Sequence, residues 1–247
     1  MGRTQRPKKG EVIMSVLEVL IGRIFPILTL LVVLLGLFFR ILKWQKAAVA
    51  NLALYPAAKT RGELWRKVLS EVLFFNSFRK EHKGLWSQTW PFHLAVVLII
   101  VGHTRLITDW PLRVLFGMSE SAVNTLSAWA GGAAGIIAMT TCLFLIGRRY
   151  AIKRVREISS GEDYFVVYLL LAIFITGNIL RFVTHFDIEA ARTYFATLFT
   201  MQTQVPSDPV FLLHFFLVQV LLVYLPFGKL LHIPGVFFSR TLIAKDF

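Results

Sequence analysis

The chain holds a single cysteine, Cys142, in 247 residues. That excludes an intrachain disulfide, a four-cysteine iron–sulfur cluster and a C-x-x-C-H haem attachment. Any haem is therefore bound without a covalent thioether, and any iron–sulfur centre sits on another subunit. Negative charge is scarce too: 14 Asp and Glu stand against 27 Lys and Arg. The acidic residues lie at the ends of apolar runs or between them, which counts against a transporter that relays protons through histidines, since such a relay wants carboxylates deep in its helices. Neither an internal repeat nor a low-complexity tract is present.

What remains is apolar and basic. Hydrophobic residues make up 56% of the chain and charged ones 17%, where a soluble domain runs to about 45–50% and 25%. The formal net charge is +13. Such a balance can mean nucleic acid, but here the basic residues flank apolar runs, so they report membrane orientation and no nucleic-acid partner is expected.

A helix crossing about 30 Å of hydrocarbon needs about 20 mainly apolar residues. Five segments qualify, near 17–39, 88–108, 122–147, 163–184 and 208–232. Pro91 is expected to open the second. Glu162 and Asp163 stand at the start of the fourth, and Asp208 with Pro209 suits the start of the fifth. Residues 40–88 carry ten Lys and Arg and residues 147–162 carry five, whereas the loops after the second and fourth segments hold little beyond Arg113 and Arg192. The positive-inside rule puts the rich loops in the cytoplasm. The expectation is one all-α domain over 1–247, a five-helix transmembrane bundle with the N-terminus outside and the C-terminus cytoplasmic. The start, MGRTQRPKKG before an apolar run, reads as a retained anchor, with Met14 an alternative first residue. Between the first two spans, the cytoplasmic insertion of about 44–88 contains ELWRKVLSEVLFF. Leu64, Val68 and Val72, with Trp65, Leu69 and Leu73, recur there at helical spacing. That predicts an amphipathic helix, either lying on headgroups or docking a cytoplasmic partner.

Four histidines fall inside two of the apolar segments: His93 and His103 on the second, His214 and His232 on the fifth. An imidazole buried in hydrocarbon is costly unless something binds it. On one helix the pairs are ~15 and ~27 Å apart along the axis, whereas two axial ligands of one iron bring their nitrogens to ~4 Å. Each haem would therefore bridge the two antiparallel helices. Topology pairs His103 with His214 toward the outer side and His93 with His232 toward the inner side. The two rises differ by ~12 Å and a ten-residue step turns the helix face by about 80°; tilt, and a bend at Pro226, are expected to absorb part of that. His82 and His185 lie between spans and read as surface residues, although His185, near Asp187, could take a proton at an outer quinol pocket. Gly131 and Gly135 form a G-x-x-x-G that lets a helix or a flat ring come close.

Several motifs carry a resemblance. FH-x8-GH at Phe92–His103, AGGAAG at Ala130–Gly135, the Arg148–Arg149 pair, SGED at Ser160–Asp163, FLLH at Phe211–His214 and LPFGKLLHI at Leu225–Ile233 resemble the gamma subunit family of respiratory nitrate reductase, five-helix cytochromes b with two haems. The likeness covers roughly 90–235. It implies two haem b groups, with His103/His214 and His93/His232 as iron ligands. The stretch LFFNSFRKEHKGLWSQTWPFH is more similar to membrane cytochromes of sulfur metabolism, those of the Dsr and Hme complexes and the E subunit of heterodisulfide reductase. The resemblance further implies a subunit that oxidises menaquinol or another lipid quinol near its outer face. It would pass electrons to a cytoplasmic iron–sulfur subunit of the heterodisulfide reductase type, beside other membrane or extracytoplasmic redox subunits. A nitrate reductase gamma subunit and a heterodisulfide reductase cytochrome are the alternatives. Val123 stands where nitrate reductase members carry a quinol-site lysine, so that site is not carried over; Arg105, Arg113 and His185 are the candidates in its place.

Overall fold

The computed structural model describes residues 9–46, 58, 60–200, 203–232 and 235–236, and among them every extended element is a helix. Four helical stretches are long and apolar enough to cross a membrane: Ile13–Gln45, Lys83–Leu106, Glu120–Ala151 and Gly161–Phe182. They correspond to the first four expected spans. The chain divides into two compact units, one of Met1–Leu30 with Phe92–Leu221, the other of Leu31–Pro91 with Leu222–Phe247.

In the first unit, α1 (Lys9–Val19) runs into a π-turn at Leu20–Ile24 and then into α2 (Phe25–Gln45). Pro26 explains the wide turn. It has no N–H to offer the preceding carbonyls, and its ring crowds them. The orphaned carbonyls are met from elsewhere: Gln219 Nε2 donates to Ile21 O at 3.0 Å, and the Tyr194 hydroxyl donates to Gly22 O at 2.8 Å. Tyr194 is wholly buried, and its ring meets Phe195, Phe211 and Phe215 edge-on. Gly22 is required here, since a Cβ would fall 2.3 Å from Val205 Cγ1.

The core of this unit lies between α6 (Glu120–Ala151) and α8 (Gly161–Phe182). Small residues of α6, namely Ala134, Ala138 and Cys142, pack against Val167 and Phe174, with Ala95 of α5 (Lys83–His103) completing the cluster. Small side chains let membrane helices approach closely enough for dispersion to hold them. Ser119 caps α6 by accepting from Ala122 N at 3.2 Å. The Asp163 carboxylate starts α8 by accepting from Ser160 N at 2.8 Å, so the SGED motif is a helix cap. After α8 come α9 (Ile188–Thr197) and α10 (Pro209–Tyr224). Asp208 Oδ1 caps α10 through Phe211 N at 2.8 Å.

The second unit contains α3 (Arg61–Phe74) and α4 (Asn76–Glu81), which lead into α5 (Lys83–His103). Pro91 lies inside α5 rather than opening it, because the helix already runs from Lys83. Trp86 and Trp90 stack at 5.6 Å in those earlier turns. The fifth apolar helix is shorter than expected: α10 stops at Tyr224, followed by turns and a 3-10 turn at Lys229–Leu231. Pro226 cannot continue the ladder, and its carbonyl accepts instead from Arg40 Nε at 3.1 Å. The start of the expected anchor, residues 1–8, and most of 47–59 in the expected cytoplasmic insertion lie outside the described residues.

Candidate functional site

His103 ends α5 and His214 sits one turn into α10. The His214 ring lies against α8 where that helix has no side chain: a Cβ on Gly177 would stand 3.2 Å from His214 Cε1. Beside it, Thr176 Oγ1 meets His214 Nδ1 at 2.9 Å. The same hydroxyl is 2.9 Å from Ala172 O, which can only accept. That hydroxyl therefore lies between a helix carbonyl and the imidazole and holds the ring against α8. His103 is in electrostatic range of His214, and its Nδ1 donates to Ile99 O at 2.7 Å, leaving Nε2 as the nitrogen it can present. His232, at the end of the Lys229–Leu231 turn, donates Nδ1 to Lys229 O at 3.0 Å. His93 is half-buried, with its ring edge-on to Phe92 at 5.4 Å.

A histidine ligand to a metal commonly presents one ring nitrogen and anchors the other on a backbone carbonyl or a hydroxyl-like partner. His103 and His214 each anchor one ring nitrogen in this way, which fits axial ligation of a haem iron, and His232 anchors its Nδ1 likewise. Among the described residues no group of three or more His, Cys, Asp and Glu gathers.

A polar network adjoins the His103 end of α5. Arg105 is 7% exposed. Its Nε donates to Asp109 Oδ1 at 2.8 Å and its Nη2 to Asn124 Oδ1 at 2.7 Å. Arg192 of α9 donates Nε to Arg105 O at 2.7 Å and pairs through Nη2 with Asp109 Oδ2. The Arg105 guanidinium first, and Arg192 after it, hold the Asp109 carboxyl below the usual carboxylate range against the opposing effect of burial. Leu106, Ile107, Arg192, Thr193, Phe195 and Ala196 line a cavity of about 340 Å³ alongside this network. It presents an apolar wall with one cationic and one hydroxyl-bearing residue.

Of the expected quinol residues, Arg105 belongs to this network, with its Nε and Nη2 engaged by Asp109 and Asn124. Arg113 is exposed on the π-turn Pro111–Leu115. His185 is exposed and left-handed (φ +48°), a conformation that lets Phe186 N return to Leu180 O at 2.9 Å. Neither lines the cavity. Val123 is buried, 1% exposed. The glycines of AGGAAG receive polar side chains of α8: a Cβ on Gly131 would meet Arg181 Nη2 at 2.7 Å, and one on Gly135 would meet Asn178 Oδ1 at 2.5 Å. Asn178 donates to Gly135 O at 3.1 Å and Arg181 to Ser127 O at 3.0 Å. Sequence reasoning missed Thr176, Gly177, Asn178 and Arg192. The one available signal was the polar triplet Thr176–Gly177–Asn178 amid an apolar run.

A sequence model of the family described as "Nitrate reductase gamma subunit" matches residues 76–244. The chain is 29% identical to the Hdr-like menaquinol oxidoreductase cytochrome b-like subunit of Archaeoglobus fulgidus, over 90% of this chain and 79% of that one. The corresponding protein of Archaeoglobus profundus is 24% identical, over 87% and 76%. The nitrate reductase gamma chain of Bacillus subtilis is 30% identical over a shorter stretch, 46% of this chain and 48% of its own.

Proposed function

The chain belongs to the nitrate reductase gamma subunit family, and from that membership we propose that it is the dihaem cytochrome b subunit of a quinol oxidoreductase complex. It is a multi-pass membrane protein. The observation that carries the reading is the His214 imidazole, which is seated on Gly177, hydrogen-bonded to Thr176 and in electrostatic range of His103.

His103 and His214 would hold one haem, and His93 with His232 would hold the second. Haem b, when bound, supplies one-electron redox chemistry. The protein's share is ligation and polarity. Thr176 and the Ile99 carbonyl orient two of the imidazoles. Leu106, Ile107, Phe195 and Ala196 offer an apolar seat for a quinol ring, and Arg192 offers N–H donors to its oxygen. Menaquinol is the substrate favoured by the names of the Archaeoglobus relatives, and an outer position for this seat follows from the positive-inside reading. Electrons would leave to a cytoplasmic iron–sulfur subunit of the heterodisulfide reductase type, in a complex of sulfur metabolism. The long coverage of the Hdr-like relatives favours this over a nitrate reductase partner, whose gamma chain aligns to less than half of the chain.

The test is pigment stoichiometry in the purified chain. Two b-type haems per chain are expected, and His103→Ala and His214→Ala should each leave one and the same haem. Retention of both haems in either variant refutes the assignment. Binding of a menaquinol analogue that survives Arg192→Gln and Ala196→Trp unchanged would remove the cavity from the reading.

A further inference from the structure

The α3–α4 segment has no part in the haem and quinol reading, yet its surface is unusual. Helix α3 has two apolar faces. Leu64 and Val68 are buried with Ala58, and Val72 packs beside them. Trp65, Leu69 and Leu73 follow one another at every fourth residue and are 48%, 46% and 58% exposed. At 3.6 residues per turn these three share an arc of about 80°, so they form one continuous apolar stripe that the other described residues leave uncovered.

The stripe is held in place. Phe75 turns the chain with a left-handed φ of +49°. The Glu71 carboxylate accepts from Ser77 N at 3.0 Å and from its hydroxyl at 2.7 Å. The indole N–H groups of Trp86 and Trp90 donate to Phe74 O at 2.9 Å and Leu73 O at 2.8 Å. Those carbonyls belong to the last turn of α3, which has no partners of its own within the helix. Trp86 and Trp90 stand in the first turns of the Lys83–Leu106 span. Tryptophan gathers where a span passes through the headgroup region, because its ring is apolar and its N–H is polar. The C-terminal end of α3 is therefore tied to the level at which α5 enters the bilayer.

Charge complements this position. Residues 60–83 carry Arg61, Arg66, Lys67, Arg79, Lys80 and Lys83 against Glu63, Glu71 and Glu81. Two of the three carboxylates are engaged, Glu63 by Lys67 at 2.8 Å and Glu71 by Ser77. By helical phase, Arg61 and Arg66 fall on opposite flanks of the stripe, and both are exposed.

We propose that α3 is an interfacial membrane helix, with the Trp65–Leu69–Leu73 stripe seated among acyl chains and Arg61 and Arg66 on anionic phospholipid headgroups. A docking protein could also cover an apolar stripe. The tryptophan clasp favours the lipid, because it holds the stripe at the bilayer surface and the flanking guanidinium groups match phosphate.

The test uses the full chain in lipid nanodiscs containing phosphatidylglycerol, with Cys142→Ala leaving one labelling site. A nitroxide at Leu69→Cys should collide freely with oxygen and be shielded from aqueous nickel chelate, whereas one at Lys67→Cys on the opposite face should show the reverse. Arg61→Gln with Arg66→Gln should lower the equilibrium constant between seated and lifted states at low salt by about 30-fold, from ~1 kcal/mol per basic residue at an anionic surface. Equal nickel access at 69 and 67 would overturn the proposal. So would shielding that develops only when a soluble partner subunit is added, since that outcome assigns the stripe to protein. Shielding unchanged in pure phosphatidylcholine would overturn the anionic-headgroup assignment.

Discussion

The His214 imidazole is held from another helix, by the Thr176 hydroxyl 38 residues away. Thr176→Val keeps the side-chain shape and deletes that hydrogen-bond partner, so the ring is held less firmly in its orientation. Outer-shell partners of this kind are worth about 10–100-fold in affinity. Haem titration of the apoprotein should show a loss of that size at one of two sites; unchanged affinity at both would leave Thr176 without a role. Asp109 makes a second prediction, in pH. Its folded pKa is depressed, first by Arg105, so its contribution to stability is complete above about pH 4, the ordinary carboxylate value, and is lost as pH falls through the lower folded value. The protection factors of the α9 amides should therefore fall in acid. Asp109→Asn should produce the same loss of protection at neutral pH, at a cost of about 3 kcal/mol, because two guanidinium groups lose their shared counter-ion. Unchanged α9 protection in that variant at neutral pH would show that the ion pairs are not what clips α9 down.

The elements differ from their sequence signatures mainly at prolines. Pro91 suggested a helix start, yet α5 begins at Lys83, since the Trp86–Trp90 stack and the indole bonds to α3 extend the helix ahead of the proline. Pro226 suggested a bend, yet α10 ends at Tyr224 and the Pro226 carbonyl is used by Arg40. Local pattern cannot reveal these outcomes, because the deciding partners lie 12–17 and 186 residues away. At Pro26 the same reasoning yields a test. The π-turn leaves the Gly22 carbonyl to the Tyr194 hydroxyl. Tyr194→Phe strands a buried carbonyl at a cost of about 1–3 kcal/mol. With Pro26→Ala an N–H becomes available to that carbonyl, so the same tyrosine change should cost much less. A thermal-unfolding double-mutant cycle in detergent should show this coupling; additive costs would mean that Pro26 does not create the need for Tyr194.

Across the whole molecule, membrane character was legible in the sequence, because apolar runs of span length are costly to explain otherwise. The Arg105–Asp109–Arg192 network was not, since Arg192 reaches Asp109 across 83 residues and reads locally as one loop charge. The number of crossings turns on α10. Its 16 residues span about 24 Å, short of the ~30 Å hydrocarbon thickness. Leu225–Leu231 adds further apolar residues beyond it, and a bilayer thins locally at modest cost to meet a short helix. Five crossings place the C-terminus on the same side as the fifteen basic residues of 40–88 and 147–162; four place it opposite. In cells carrying Cys142→Ala, an impermeant maleimide should modify a cysteine at Glu120 but neither one at Glu157 nor one appended to the C-terminus. Labelling of the appended cysteine with Glu157 still protected would mean that α10 does not cross. Labelling at Glu157 would reverse the orientation and place the Arg192-lined cavity in the cytoplasm, on the wrong side for releasing quinol protons outward.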